Sequence, residues 1–318
     1  IHNMGEKGEI SRILGGLYGN EFTFTSLSSE ATAPGQLSLE SLKEDYQLSK
    51  IKKNFKVYGL LGNPVKHSHG YLIHNSAFRK SQINAIYVNF LCDNLKTFFK
   101  EYRDIISGLS VTIPFKKEVI PFLDAIDEKA ELIGAVNTIV NKNGKLIGYN
   151  TDETGFLESL KKYINPQNKR ILILGSGGSA RAVLVSLIGK KNDITILNRN
   201  PLNAKKLADE FNCAYGELSE FKNHAPQILI NCTPVGMFPD IKSAPVKLSK
   251  LKNCVVYDLI YNPYYTKLLA DAVKNGNTIV SGFEMFLRQA QEQYTLFTGK
   301  SFSYLKHRNY FLKKLRIL

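Results

Sequence analysis

The sequence predicts an α/β protein with a doubly wound parallel sheet in its second half and another α/β domain before it. Two observations predict this class. Strand and helix patterns alternate from Arg170 onward, and a glycine-rich turn joins the first of these strands to a helix. The chain has 318 residues, of which 43% are hydrophobic. That length suffices for about two domains.

The composition excludes several classes of protein. No apolar run approaches the about 20 residues of a membrane span, and the polar residues 1–7 have no signal-peptide core. The four cysteines form no C-x-x-C pair, which favours free thiols and no metal site. The formal charge of +14 would favour the binding of polyanions such as nucleic acids. The lysines are scattered along the chain, however, and no nucleic-acid-binding motif is present. We therefore expect a cytoplasmic protein, or an organellar one if a targeting segment precedes Ile1, that binds small anions but neither nucleic acid nor membrane.

The first part of the chain carries few elements. Alternating residues over 22–27 predict a strand, a loop follows at 33–36, and Ser38 is a helix N-cap before Leu39 and Leu42. The charged stretch after this helix indicates a domain boundary, with a linker at 49–54.

The elements after the linker fall into two groups. The first group has a strand over 56–62, helices over 70–80, 93–106 and 116–123, and a type I′ hairpin around Asn143-Gly144 with strands at 138–141 and 145–148. The second group has strands at 171–174, 194–197, 228–231, 255–259 and 278–280 that alternate with helices. A basic amphipathic helix over 306–316 ends the chain.

The sharpest motif follows the strand at 171–174. It fits the G-x-G-x-x-[G/A] pattern, in which the first glycine makes a tight turn, the second lets the backbone approach a pyrophosphate, and the small last residue lets the helix pack closely. The next helix N-terminus supplies unpaired N–H groups to the phosphates. The motif predicts a Rossmann domain, with a plain strand-to-helix turn as the alternative. Its expected cofactor contacts are Gly175, Gly177, Gly178, Ser179 and Ala180.

The second strand of this domain indicates which dinucleotide binds. It ends in Asn198-Arg199-Asn200, where an NAD site normally has a carboxylate for the ribose 2′-hydroxyl. A guanidinium suits a 2′-phosphate instead, because it bonds phosphate oxygens in a bidentate manner. We therefore expect NADP, with Asn198 and Arg199 among its contacts. The alternative is that Arg199 is an ordinary surface arginine.

Polar clusters beside proline or glycine carry a family resemblance. They lie at 62–68, 110–116, 134–138 with 150–152, 231–237, 258–263 and 282–290, and they resemble the motifs of shikimate dehydrogenases in that family's order. The resemblance covers residues 55–318 and implies NADP-linked interconversion of 3-dehydroshikimate and shikimate. It places an acid/base pair on Lys116 and Asp152, because hydride delivery to a ketone leaves an oxyanion that must be protonated. Without the resemblance, Lys116 reads as a surface lysine and Asp152 as a helix N-cap.

The same resemblance implies further site residues. Thr233 and Gly282 join the cofactor contacts, and the substrate-binding residues are Ser68, Thr112, Asn137, Tyr261 and Gln289. The sequence departs from the family at Gly70, where a second serine is usual, and at Ser110, where asparagine is frequent. Asn200 and Asn203 replace the usual threonine and basic residue after Arg199, which leaves Lys205 and Lys206 as candidate substitutes.

The resemblance also implies a domain organisation. Residues 55–152 and 282–318 form the substrate domain and residues 153–281 the NADP-binding Rossmann domain. Residues 1–48 resemble the last strand and helix of a type I dehydroquinase (β/α)8 barrel, with Arg12, Thr32 and Gln36 as its ligands. We expect dehydratase activity only in a full-length bifunctional protein. We also expect residues 1–48 to be ordered only when the missing barrel strands accompany the chain as a partner fragment.

Two alternatives stay open. One is a quinate-preferring dehydrogenase, because Gly70 makes room near the substrate carboxylate. The other is a non-catalytic NADP or quinate sensor on the same scaffold. The presence of both Lys116 and Asp152 and the lack of a DNA-binding motif argue against the sensor.

Overall fold

The computed structural model describes residues 5–27, 33–66, 68–249 and 251–314. The chain divides into two compact units. Among the described residues, unit 1 comprises those of 5–150 and 293–314, and unit 2 comprises those of Thr151–Glu292.

The secondary structure agrees with an α/β class. Within the described residues the strands are β1 (Lys56–Gly62), β2 (Ala85–Leu91), β3 (Ile106–Val111), β4 (Ala125–Ile126), β5 (Thr138–Lys142), β6 (Lys145–Tyr149), β7 (Arg170–Leu174), β8 (Asp193–Asn198), β9 (Ala214–Glu217), β10 (Ile228–Asn231), β11 (Val255–Asp258) and β12 (Thr278–Ser281). The α-helices are α1 (Glu9–Leu14), α2 (Leu39–Ser41), α3 (Gly70–Lys80), α4 (Leu95–Tyr102), α5 (Glu128–Ile133), α6 (Asp152–Leu160), α7 (Gly178–Leu187), α8 (Pro201–Phe211), α9 (Lys267–Lys274), α10 (Gly282–Thr298) and α11 (Tyr304–Lys314). Short 3₁₀ helices lie at Glu6–Gly8, Gly15–Tyr18, Leu48–Lys50, Ile120–Phe122 and Leu218–Asn223, and a π-helical turn lies at Leu42–Tyr46.

Unit 1 is built on a mixed sheet with the strand order β2-β1-β3-β5-β6-β4. β1 pairs with β2 and β3 in parallel, whereas β5 pairs with β3 and β6 antiparallel. The predicted type I′ hairpin is confirmed, because Asn143 and Gly144 between β5 and β6 have φ values of 55° and 87°. The parallel neighbours β1 and β3 end at the same edge, which places the segments after Gly62 and Val111 side by side.

The N-terminal segment packs into the core of unit 1. Ile13 and Leu14 of α1 and Leu42 and Tyr46 of the following helical turns are buried in one cluster with residues of β1, β2 and β3. The expectation that residues 1–48 need the missing barrel strands to be ordered is therefore wrong for their described part. The physical reason is that these apolar side chains find cover on the sheet of unit 1 itself.

Two element predictions in unit 1 are wrong. Residues 22–27 form no strand, because the only pairing there is an isolated bridge between Ser26 and Ser38 within the described residues. The predicted helix over 116–123 is a series of turns with a 3₁₀ helix at Ile120–Phe122. Pro121 explains this, since a residue that precedes proline disfavours the α conformation and proline has no N–H to donate.

Unit 2 confirms the doubly wound prediction. Its sheet has the strand order β12-β11-β10-β7-β8-β9, and all its strands are parallel. Ile171 and Ile173 of β7 enter one buried cluster and Leu172 and Leu174 enter another, so both faces of the sheet are covered. The chain leaves β7 toward β8 on one side and returns to β10 on the other. Ligands bind outside the carboxyl ends of strands at such a switch point.

The C-terminal helix α11 confirms the predicted amphipathic helix. Phe311 and Leu312 are buried, whereas Leu305 and Lys306 are exposed. In the part of the chain that the structure describes, no helix is long and apolar enough to cross a membrane.

Candidate active site

The loop after β7 lies at the switch point of the sheet in unit 2. Gly175 has a φ of +98°, a conformation that side chains rarely adopt, and a Cβ added there would lie 3.0 Å from Cγ2 of Thr233. The loop after β10 therefore approaches the loop after β7 closely. The predicted cofactor residues Gly175 and Thr233 are neighbours in the structure.

Gly177 and Gly178 begin helix α7 and leave open space above its N-terminus. Gly177 is the N-cap with an extended conformation, and a Cβ added to either glycine would meet no protein atom within 4 Å. Internal packing therefore does not require glycine at these positions. The open space and the unpaired N–H groups of the helix N-terminus suit a phosphate group. Ser179 is exposed beside it, and Ala180 is buried in the core of unit 2.

The end of β8 lies next to this loop because β8 pairs with β7. Asn198 donates from Nδ2 to Oγ of Ser176 at 2.9 Å, which ties the end of β8 to the phosphate loop. Arg199 is exposed, as a residue that binds a phosphate of a docked ligand must be. Asn200 caps α8, accepting from the N–H of Leu202 at 3.0 Å. Both candidate substitutes are exposed, and Lys205 pairs with Asp209 at 2.7 Å.

In unit 1 the structure brings Thr112, Lys116 and Asn137 together. The N–H of Thr112 donates to the carbonyl of Leu61 at 2.9 Å, and the carbonyl of Lys116 accepts from Val136 at 2.7 Å. The carbonyl of Asn137 accepts from the N–H of Val111 at 2.7 Å, so the start of β5 lies against the end of β3. Thr112 and Lys116 are half-buried. Asn137 is only 2% exposed.

Asn137 belongs to a hydrogen-bond chain that the sequence analysis missed. The hydroxyl of Thr138 donates to Oδ1 of Asn137 at 2.7 Å and accepts from Nε2 of Gln293 at 3.0 Å. Oε1 of Gln293 accepts from the hydroxyl of Ser110 at 2.8 Å. These bonds orient the amide of Asn137. The available signal was the spacing of Gln293, which follows Gln289 by four residues and so shares its helix face.

The loop that carries Ser68 is fastened to β2. Nδ2 of Asn89 donates to the carbonyls of Val65 and Ser68, each at 3.3 Å. The neighbouring His67 lies outside the described residues. Gly70 is the first residue of α3, and a Cβ added there would lie 3.4 Å from the hydroxyl oxygen of Tyr87, which is an ordinary contact. A Cβ atom therefore fits at this position.

In unit 2 the structure groups Asp152 with Gln289 and Tyr261. Asp152 is the first residue of α6, where its carboxylate is favoured by the helix dipole. The preceding Thr151 donates to Oε1 of Gln289 at 3.4 Å, and Nε2 of Gln289 donates to the carbonyl of Phe286 at 3.0 Å. Tyr261 stacks on the ring of Phe286, with 4.5 Å between centroids.

Gly282 is the first residue of α10, and close packing requires glycine at this position. A Cβ there would lie 2.2 Å from the carbonyl oxygen of Leu259, so only glycine lets α10 begin against the backbone that follows β11. Gly155 is similar, since a Cβ there would lie 2.9 Å from Cβ of Gln289. The close packing of α6 on α10 thus fixes the position of Gln289.

The predicted dehydroquinase ligands form a separate group. Arg12 is 3% exposed and donates from Nη1 to the carbonyl of Pro34 at 3.2 Å, which places it beside the loop that carries Gln36. Thr32 lies outside the described residues.

No metal centre is found among the described residues, where no cluster of three or more His, Cys, Asp or Glu side chains has suitable geometry. The cysteines of the chain are free thiols.

Three family models match the chain. Residues 60–139 match the substrate binding domain of shikimate dehydrogenase, and residues 158–236 match shikimate / quinate 5-dehydrogenase. Residues 1–53 match type I 3-dehydroquinase.

Named relatives agree with these matches. The chain is 36% identical to a chloroplastic bifunctional 3-dehydroquinate dehydratase/shikimate dehydrogenase of Arabidopsis thaliana, over 93% of this chain and 53% of that relative. It thus spans about half the length of that relative. It is 40% identical to an NADP(+) shikimate dehydrogenase of Methanococcus vannielii, over 76% of this chain and 90% of that relative. The solved structure of shikimate 5-dehydrogenase from Thermus thermophilus, in complex with NADP(H) and shikimate, is 30% identical and matches with a TM-score of 0.75, over 80% of this chain and 98% of that one.

Proposed function

The chain belongs to the shikimate dehydrogenase family, and from this membership we propose that it catalyses the reversible, NADP-dependent reduction of 3-dehydroshikimate to shikimate. The observation that carries the proposal is the cluster of Thr112, Lys116 and Asn137 at the end of β3. It combines one cationic acid with hydroxyl and amide groups, as reduction of a ketone in a polyhydroxylated acid requires. The named relatives are shikimate dehydrogenases, so a preference for quinate is not favoured.

The open phosphate loop supports NADP as the cofactor. Its pyrophosphate fits the space above α7 at Gly177 and Gly178, and its 2′-phosphate fits Arg199 at the end of β8. Asn198 and Thr233 line the same edge of the sheet. When bound, NADPH supplies the hydride for the ketone carbon.

Lys116 and Asp152 are the proposed acid/base pair. In the direction of reduction, the ammonium group of Lys116 donates a proton to the oxygen of the ketone as negative charge develops there. In the opposite direction its neutral amine takes the proton of the shikimate hydroxyl. Asp152 is proposed as the second member of this pair, and its carboxylate stands at the first residue of α6.

The proposed substrate ligands are polar groups of fixed position. Asn137 is oriented by Thr138, and Ser68 is held by the fastened loop. Together with Thr112, Tyr261 and Gln289 they supply donors and acceptors for a carboxylate and hydroxyls. Buried polar groups that match each hydroxyl reject analogues that lack one, because the site's own group is then left unpaired.

The N-terminal segment is proposed to belong to a longer bifunctional protein. Residues 1–53 match type I 3-dehydroquinase, and Arg12, Thr32 and Gln36 are its proposed ligands. We assign dehydratase activity only to a chain with the rest of that domain. We propose a cytoplasmic location, with a plastid as the alternative that the chloroplastic relative supports.

The direct test of the proposed function is the reduction reaction. NADPH oxidation, followed by absorbance, is expected to depend on added 3-dehydroshikimate and to stop when that substrate is left out. NADPH binding without any oxidation would reject the proposed activity and favour the sensor alternative.

Replacing Arg199 with Ala is expected to raise KM for NADP⁺ by about tenfold and to leave KM for NAD⁺ unchanged, because a charge-assisted bond to phosphate contributes about 1.5–3 kcal/mol. Initial rates with the two cofactors measure this. Lys206→Ala is the matched control, since it removes a nearby exposed cation. An unchanged Arg199→Ala variant beside an impaired Lys206→Ala variant would move the phosphate contact to the lysine.

Replacing Gly70 with Ser is expected to lower KM for shikimate by about three- to tenfold, because a new hydroxyl reaches the substrate carboxylate and such a bond is worth about 1.5 kcal/mol. The structure has room for the Cβ of this side chain beside Tyr87. Gly70→Ala adds the Cβ without the hydroxyl and is expected to leave KM unchanged. Equal effects of the two variants would show that the hydroxyl is not the cause.

A further inference from the structure

A buried carboxylate lies where β10 and β11 end, one strand away from the phosphate loop. Asp258 is the last residue of β11, pairs in register with Asn231 of β10 and has no solvent exposure. An isolated carboxylate in such a place is costly, so its hydrogen-bond partners must compensate for the lost water.

Three uncharged donors surround the side chain of Asp258. Oδ1 accepts from Nδ2 of Asn231 at 3.0 Å and from the N–H of Ile260 at 3.1 Å. Oδ2 accepts from the hydroxyl of Thr266 at 2.6 Å. The two N–H groups can only donate, so Oδ1 must accept, and the hydroxyl of Thr266 is free to donate to Oδ2. An ionised carboxylate meets this requirement.

The hydrogen bond from Asn231 links Asp258 to the loop after β10, at the edge of the sheet where the cofactor is proposed to bind. Because Nδ2 of Asn231 is taken by Asp258, the amide of Asn231 turns its oxygen toward the loop after β10. That oxygen accepts from the N–H of Thr233 at 3.0 Å and from its hydroxyl at 2.7 Å. The hydroxyl of Thr233 also accepts from the N–H of Val235 at 3.3 Å. The loop that holds Thr233 is thus shaped through Asn231 by Asp258.

The hydrogen bonds from Ile260 and Thr266 link Asp258 to the loop after β11. Ile260 directly precedes Tyr261, a proposed substrate ligand. Thr266 is the N-cap of α9 and ends the same loop, and its hydroxyl also accepts from the N–H of Leu269 at 3.3 Å. One carboxylate therefore holds both ends of the segment that carries Tyr261.

We propose that Asp258 is a positioning residue of the dehydrogenase, whose ionised carboxylate holds the Thr233 loop and the Tyr261 loop in the conformation that binds cofactor and substrate. This rests on the proposed function, because it takes Thr233 and Tyr261 as parts of the site. Asp258 itself contacts neither ligand in this account and acts through Asn231 and the backbone of Ile260.

The positioning role of Asp258 makes NADPH binding depend on pH. Burial raises the pKa of Asp258 to about 6, and the bonds from Thr266, Ile260 and Asn231 oppose this rise. Protonation at Oδ2 removes the negative charge that strengthens the bonds from Asn231, Ile260 and Thr266, so the loops are held less firmly as pH falls through 6. The titratable neighbour is Cys232, whose pKa burial raises, so its thiol stays neutral over this range. Asn231 and Thr266 carry no charge.

The contribution of Asp258 to the free energy of unfolding is expected to increase as pH falls, whereas its contribution to NADPH affinity decreases. A carboxyl with a raised pKa in the folded protein binds its proton more readily than it does in the unfolded chain. Its contribution to the free energy of unfolding is therefore present in acid and is lost as pH rises through 6. A loss of NADPH affinity between pH 7.5 and pH 5 thus cannot come from this group unfolding the protein.

The test uses Asp258→Asn, which keeps the shape and removes the charge. NADPH binding is measured by fluorescence titration from pH 5 to 8, with kcat and KM for shikimate at each pH. We expect the variant to bind NADPH about tenfold more weakly at pH 7.5, in line with the loss of a bond to a charged group. The ratio of the two dissociation constants should approach one at pH 5. The cofactor phosphate, which titrates near pH 6, affects both proteins alike and cancels in this ratio.

Further variants distinguish a positioning role of Asp258 from a general loss of stability. Asn277→Ala is the matched control, because Asn277 is a buried amide at the other end of β11 that bonds the N–H of Cys254 at 3.1 Å and the carbonyl of Leu251 at 2.9 Å. It should lower the melting temperature without changing the pH dependence of NADPH binding. If Asp258→Asn fails to fold, Thr266→Val and Thr266→Ser replace it. The valine should raise KM for shikimate, because it frees the end of the Tyr261 loop, and the serine, which keeps the hydroxyl, should restore the wild-type KM.

The outcomes are distinct. NADPH binding by Asp258→Asn with the wild-type affinity and pH profile would overturn the positioning role, as would the same pH-dependent loss in Asn277→Ala. A wild-type chain that binds NADPH with the expected pH profile but does not oxidise it with 3-dehydroshikimate would reject the proposed function, and the binding data would still decide the role of Asp258 at the cofactor loop. A wild-type chain that binds no NADPH would overturn both.

Discussion

Replacing Lys116 with Ala is expected to lower kcat for shikimate oxidation by about 10²–10⁴-fold, the range that a positioned acid or base contributes. The amine of Lys116 acts on the reacting oxygen, so its loss removes an interaction made in the transition state. NADPH affinity should stay within about twofold of wild type, because the proposed cofactor contacts belong to the segments after β7, β8, β10 and β12. Steady-state rates and an NADPH titration measure the two effects separately.

Lys117→Ala is the matched control for this prediction. Lys117 is exposed, belongs to the same turn and carries the same charge. It should keep the wild-type kcat, so that a loss confined to Lys116→Ala reports the position of the amine and not the charge of the segment. A Lys116→Ala variant with more than a tenth of the wild-type kcat would reject Lys116 as the acid/base group.

Replacing Gly177 with Val is expected to weaken NADPH binding by about a hundredfold and to leave the fold intact. The added side chain meets no protein atom near its Cβ, so packing in unit 2 should not change. It fills the space above α7 that the pyrophosphate is proposed to occupy. Two lost charge-assisted bonds of at least about 1.4 kcal/mol each give this magnitude. Fluorescence titration and thermal unfolding measure the two parts of the prediction.

Gly16→Val is the control for a valine at an open glycine. Gly16 is exposed in the 3₁₀ helix Gly15–Tyr18 of unit 1, and a Cβ there also meets no protein atom within 4 Å. This variant should bind NADPH like the wild type. If Gly177→Val binds NADPH normally while remaining folded, the phosphate does not lie above α7.

The elements of unit 2 were predictable because its strands are covered on both faces. Continuous apolar runs such as 171–174 and 228–230 are typical of buried parallel strands, and the glycines after β7 mark a turn that the backbone requires. The exception is β9, whose sequence Ala-Tyr-Gly-Glu at the sheet edge has no apolar pattern. The phosphate loop could be predicted because all its residues are contiguous.

Features that depend on distant partners were not predictable in this way. Residues 22–27 alternate like a strand, but a strand needs a neighbour that local pattern does not supply. Ile13 and Leu42 gave no sign of packing on the sheet of unit 1. The networks around Asp258 and Gln293 exist only because strand pairing and a helix bring remote residues within bonding distance.

The most direct test of the central claim is a comparison of four initial rates on this chain, with shikimate or quinate as substrate and NADP⁺ or NAD⁺ as oxidant. We expect kcat/KM to be highest for shikimate with NADP⁺ and this turnover to be lost in Lys116→Ala. Turnover of quinate with NAD⁺ in preference, or no turnover by a folded chain that binds NADPH, would contradict it.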